Sequence, residues 1–116
     1  MSTMDNLIGT WQADLDRYPE VNPEMGELGP EMMDMMLGTM TVEIGADQLA
    51  LKDYGGKGRV MEGGFTSSDA EGKLRLEVTM EGSGRKGVFE VEFIDDDHIN
   101  FSLVEPKNDP MAFKRA

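Results

Sequence analysis

Few side chains in this sequence have the type and spacing that chemistry needs. The one His, His98, follows directly on Asp95-Asp96-Asp97. Carboxylates beside an imidazole raise two possibilities, a metal site and an acid–base pair. A calcium loop needs acidic ligands at alternating positions and a distal Glu, and this run has neither. Three adjacent Asp suit a solvated turn, a conformation that Asp favours. A catalytic triad needs a nucleophile partnered with the base, and a lone outward-facing His supplies none. The expectation is therefore no catalytic residue and no enzyme.

The second group is Met32, Met33, Met35 and Met36, within a chain that holds 11 Met in 116 residues. Thioether sulfurs select soft metals such as Cu(I), but there is no Cys and no nearby His to complete a site. Neither a metal nor a cofactor is expected. Met also packs short helices and builds adaptable apolar surfaces, and both roles are open here. Among the cations, an Arg inside a barrel would suit a fatty-acid carboxylate. Arg59 fits an inward register, Arg75 alternates outward, and Arg85-Lys86 lies on a loop that could meet an anionic head group.

The elements that position these residues follow from pattern. A chain of this length makes a single domain, residues 1–116, with one core. The formal net charge is −12. Phosphate binding needs clustered Lys and Arg, so nucleic acid and anionic membranes are not expected partners. Residues 1–38 carry eight acids and the single base Arg17, so the acidity concentrates there. The N-terminus shows no basic segment before an apolar run, and no stretch approaches the ~20 apolar residues of a membrane span. A cytoplasmic protein without membrane insertion is the expectation.

From residue 39 onward apolar and polar residues alternate, as in Leu74, Leu76, Val78 and Met80 set against Lys73, Arg75, Glu77 and Thr79. This is the pattern of an antiparallel sheet with one buried face. Strands are predicted at 8–15, 39–44, 48–53, 59–65, 73–80, 87–94, 98–104 and 110–115. Turns separate them at 45–47, 54–58, 67–72, 81–84, 95–97 and 105–110, so the natural topology is a meander. Gly63 and Gly64 mark a bend, a bulge or a close backbone approach. About eight strands close into an up-and-down barrel whose interior fits side chains or one small ligand.

Residues 16–38 interrupt the alternation. Pro19, Pro23 and Pro30 exclude a regular strand. Pro30 and Gly38 bracket a predicted short helix over 30–37, with Glu31 and Asp34 in its first turn. About two turns cannot persist in isolation, so the helix must dock, and its Met residues supply the surface.

Gly9-Thr10-Trp11 on the first strand and Arg115 on the last resemble the signature of the lipocalin/calycin family. The resemblance implies an all-β, lipocalin-like antiparallel barrel with one short helix between strands 1 and 2. It also implies that Trp11 sits at the closed end with Arg115 packed over it. Arg115 shares a face with Met111 and Phe113, which allows the stacking. The chain is shorter than most lipocalins and lacks the Thr-Asp-x-x-Tyr turn. With Trp11 at the closed end, the 16–38 connection lies at the mouth as a lid.

The leading expectation is a non-catalytic binding protein for a small apolar or amphipathic ligand in a lidded barrel, contacted by Met32, Met33, Met36, Met40, Met80, Phe89 and Phe101. The alternative is a filled barrel acting as a protein-interaction or structural module through its acidic, Met-rich surface. The large inward residues are compatible with either. An outward Met cluster favours the second, because exposed apolar patches mark interfaces.

Overall fold

A computed structural model of the chain describes residues 4–54, 59–105 and 109–116. Eight strands follow the alternating stretches: β1 (Gly9–Ala13), β2 (Thr41–Ile44), β3 (Gln48–Tyr54), β4 (Arg59–Ala70), β5 (Lys73–Met80), β6 (Lys86–Asp95), β7 (His98–Glu105) and β8 (Asp109–Arg115). Each pairs antiparallel with the next, and β8 pairs with β1. The fold is all-β, a closed up-and-down barrel. Residues 55–58 and 106–108 of the turns expected at 54–58 and 105–110, and the direction of the Arg59 side chain, lie outside the described residues.

Among the described residues, four short helices accompany the barrel: α1 (Met4–Leu7), α2 (Tyr18–Val21), α3 (Pro23–Gly26) and α4 (Pro30–Leu37). The bounds of α4 match the predicted helix. α2 and α3 were not predicted, and Pro19 and Pro23 explain them. Both prolines sit in a first helical turn, where the missing N–H has no intrahelical acceptor to lose. Among the described residues no helix is long and apolar enough to cross a membrane.

The barrel is filled by alternation. On β5, Leu74, Leu76 and Val78 are buried while Lys73, Arg75 and Glu77 face out. Three neighbouring strands contribute stacked rings. Phe89 and Phe101 lie 4.8 Å apart between centroids, and Phe113 meets Phe101 edge-on at 5.9 Å. Such pairs add roughly 0.5–1.5 kcal/mol each beyond their area burial.

β4 departs from expectation. It runs through Ser67, Ser68 and Asp69 to Ala70, and the turn shrinks to Glu71-Gly72. Pairing with β5, for example Ser67 opposite Leu76 and Asp69 opposite Leu74, overrides the weak strand preference of these residues. Gly63 lets β4 pass from its β3 partner to β5. A Cβ there would fall 2.6 Å from the Thr79 carbonyl oxygen and 2.8 Å from Val78 Cγ1.

The seam between β1 and β8 pairs Trp11 with Arg115. The Arg115 guanidinium carbon stands 4.3 Å from the Trp11 ring centroid. Trp11 is fully buried, and its Nε1–H donates to the Leu7 carbonyl at 2.9 Å, which draws α1 under the barrel. Arg115 Nη2 donates to the Asn6 carbonyl at 2.7 Å and to the Asp96 carbonyl at 3.1 Å. The Asp95–Asp97 turn therefore helps to hold the cation. Gly9 makes room for it: its φ is +142°, and a Cβ would lie 3.1 Å from Arg115 Nη1. The Gly of Gly-x-Trp is thus the slot through which the guanidinium reaches the ring.

Two outcomes test this account. Arg115→Ala removes a partly desolvated cation–π contact and its hydrogen bonds, and should cost about 2 kcal/mol in chemical denaturation. Arg115→Lys should restore only part of that, because an ammonium cannot stack as a planar fork. Gly63→Val forces a side chain into strand backbone and should lower Tm by several degrees, equivalent to about 1–3 kcal/mol of overpacking.

Candidate functional site

The candidate site lies at the barrel end opposite Trp11, where the 14–40 connection crosses. Its second half carries α4. Gly29 precedes Pro30, Glu31 occupies the first turn, and the Gly38 N–H closes the helix on the Asp34 carbonyl at 2.9 Å. Met33 and Leu37, one turn apart, are buried in the core beside Met40, and Met36 packs partly against it. Thr39 Oγ1 hydrogen-bonds the Asp53 carboxylate, tying the exit of the helix to β3. The opposite face carries no such cover. Met32 is 43% exposed, Met35 71%, and Leu28, just before the helix, 43%.

The first half of the connection is held elsewhere. α2 lies against the outer face of the barrel over β8, where Tyr18 is buried and the Asn22 amide donates to the Pro110 carbonyl at 3.2 Å, and α3 packs on α2. Arg17 anchors this packing. Its Nε meets buried Asp14 at 2.8 Å, and its Nη1 donates to Asn100 Oδ1 at 2.8 Å. Its Nη2 donates to the carbonyls of Ile99 and Phe113, each at 3.0 Å. Asp14 bonds across to Ala112, and Ala112 pairs with Asn100, so the guanidinium spans β8 from β1 to β7. Ala112 is outward in the alternation yet fully buried, and its small side chain leaves the space that Arg17 needs. This clamp was not predicted. Its only signals were a single base in the acidic first third of the chain and an Ala between Met111 and Phe113.

The structure separates the predicted contact residues. Met33, Met40, Phe89 and Phe101 join the core, Met36 and Met80 pack partly against it, and Met32 points away from it. A cavity large enough for a guest would leave accessible surface on its walls. Met40, Val42, Leu76, Val78, Val91 and Ile99 have none, so the barrel is packed through its middle. Among the described residues, shallow open hollows lie on the outer faces. One, of about 450 Å³, runs over β1–β4 and is lined by Ile8, Thr10, Glu43, Ala50 and Glu62. Another, of about 240 Å³, runs over β5–β8 past Glu90, Glu92 and Asn100. Partly exposed Met36, Met61, Met80 and Leu103 form an apolar rim at the α4 end.

The connection itself is acidic, while exposed Arg85 and Lys86 stand at the β5–β6 turn of the same barrel end. Residues 18–38 hold Glu20, Glu24, Glu27, Glu31 and Asp34 and no base, and all five acids are exposed. Among the described residues no group of three His, Cys, Asp or Glu side chains is placed to hold a metal ion. Met33 faces the core while Met32 and Met35 face solvent, so the four thioethers of α4 do not share a face. His98 lies nearer the closed end. Its Nδ1 is 2.8 Å from Asp95 Oδ1, and its Nε2 is 4.0 Å from Asp14 Oδ2. The hydrogen bond to His98, followed by that from the Asp97 N–H, holds the Asp95 carboxyl below its ordinary pKa. An acid–imidazole–acid row of this kind orients a ring but contains no nucleophile.

No protein family, curated protein or solved structure matches the chain.

The clamp makes a separable prediction. Arg17→Ala leaves the buried Asp14 carboxylate unpaired and should destabilise by about 3 kcal/mol. Arg17→Ala with Asp14→Asn should recover part of the loss, because no charge then stays buried. Hydrogen exchange should show protection falling over 18–26 while β5 and β6 keep theirs; uniform loss along the chain would contradict a local clamp.

Proposed function

We propose that this is a non-catalytic, lipocalin-like barrel that binds another protein through the outer face of α4 and the acids around it. The observation that carries the reading is the two-sidedness of α4. Met33 and Leu37 secure the helix to the core, while Met32 and Met35 are exposed to solvent. Exposed apolar groups cost solubility unless something covers them at work, and Met adapts to differently shaped partners. The packed middle of the barrel supports the same reading, since its described wall residues leave no accessible surface there for a guest. The lipocalin-like assignment rests on Trp11 and Arg115, whose stacking at the closed end is what the family resemblance implies. A cytoplasmic setting fits a chain without Cys.

Carriage of a small apolar ligand is the second reading, favoured by the rim of Met36, Met61, Met80 and Leu103. A guest under a lifted α4 would meet Met33, Met36, Met40, Met80, Phe89 and Phe101. Native mass spectrometry and titration with an apolar fluorophore separate the two readings. The expected outcome is a bare monomer mass and no saturable uptake; one-to-one uptake with shifts at the Leu76 and Val78 methyls would establish carriage instead. Met32→Ser combined with Met35→Ser should leave Tm within about 2 °C, as surface substitutions do. A fall of roughly 10 °C would make these side chains structural and remove the docking face.

A further inference from the structure

The exposed face of α4 carries information about the partner itself. Met32 and Met35, three residues apart, share the outward face of α4, and Leu28 stands just before the helix, across the non-helical Gly29; all three are exposed. The acids of the same connection are Glu24 on α3, Glu27 in the turn after it, and Glu31 and Asp34 on α4, of which Glu31 lies one turn from Met35. All four are exposed, and the segment 18–38 contains no Lys, Arg or His. The helix is fastened from its other side, because it buries Met33 and Leu37 and its exit is tied to Asp53. We infer that the occupant of this face is a basic amphipathic helix of a partner protein, with apolar side chains over Met32, Met35 and the preceding Leu28 and Lys or Arg facing Glu31 and the other acids of the connection. The inference rests on the protein-binding reading above and specifies its partner.

The charge pattern decides among occupants. A second copy of this chain would set acidic border against acidic border, and like charges across an interface disfavour association. An anionic lipid surface would repel the same acids. A neutral apolar segment would satisfy the Met side chains and leave the carboxylates partly desolvated without partners. A helix with one apolar face and one basic rim satisfies both sets, and Met thioethers adjust to its shape. Three apolar side chains make a small patch, so the complex should be a transient one whose association is steered by charge.

The test uses the full chain labelled at its Met methyl groups and three synthetic helices that share one Leu face: one with a Lys rim, one with a Glu rim and one with a Ser rim. The Lys-rimmed helix should shift the Met32 and Met35 resonances saturably and leave those of Met40 and Met111 in place. Its affinity should fall several-fold as salt rises from about 50 to 200 mM. Met35→Glu should weaken it about tenfold with Tm unchanged. Equal binding of the Glu- or Ser-rimmed helix at Met32 and Met35 would overturn the basic partner while leaving a docking face. Absence of shifts at Met32 and Met35 with all three helices would overturn both this inference and the reading beneath it. Binding of anionic vesicles, or concentration-dependent dimerisation abolished by Met35→Glu, would overturn the proposed occupant in favour of the lipid or the second copy.

Discussion

A meander of antiparallel strands has two unpaired edges, and an open edge both loses backbone hydrogen bonds and invites association. The pairing of β1 with β8 removes both edges at once. At its lower end this seam depends on the stacking of Arg115 on Trp11. One guanidinium reaches the indole, the Asn6 carbonyl and the Asp96 carbonyl, and so joins the last strand to the first strand, the N-terminal helix and the β6–β7 turn. The indole N–H then fixes Leu7 beneath the barrel. Gly9 is part of the same device, since a side chain at that position would meet the guanidinium.

With one end closed in this way, the long connection crosses the other. It is held by two unlike interactions. A charged network around Arg17 pins α2 to the outside of β8, and apolar contacts from Met33 and Leu37 pin α4 to the core. A short helix gains its order from such tertiary contacts and not from its own hydrogen bonds. Because the anchoring residues use one side of α4, the other side is presented to solvent in a defined orientation. The exposure of Met32 and Met35 beside the acids of the connection results from how it is fastened.

Much of the barrel was legible in the sequence because strand alternation is a local property. The predicted strands match the observed ones closely, with β4 the main exception, where Ser67 to Asp69 look like a turn until β5 pairs with them. Pro19 and Pro23 ruled out strand correctly, but a breaker of strands also starts helical turns, and only packing of α2 on β8 and of α3 on α2 makes them worth forming. The Met run announced a helix with an apolar side. It did not say which Met would be buried, because the spacing allows several faces to dock.

Residue type and order determined the antiparallel meander, the place of its one long interruption, the acidity of that interruption and the possibility of a Trp11–Arg115 stack. Each depends on neighbours in sequence or on simple alternation. Tertiary structure alone decided that the interior is packed and that Arg17 spans three strands over Ala112. It also decided that Met32 and Met35 remain outside while Met33 goes in. Those outcomes depend on how side-chain volumes and charges from distant strands fit together once the barrel has closed. A linear pattern carries no measure of that fit.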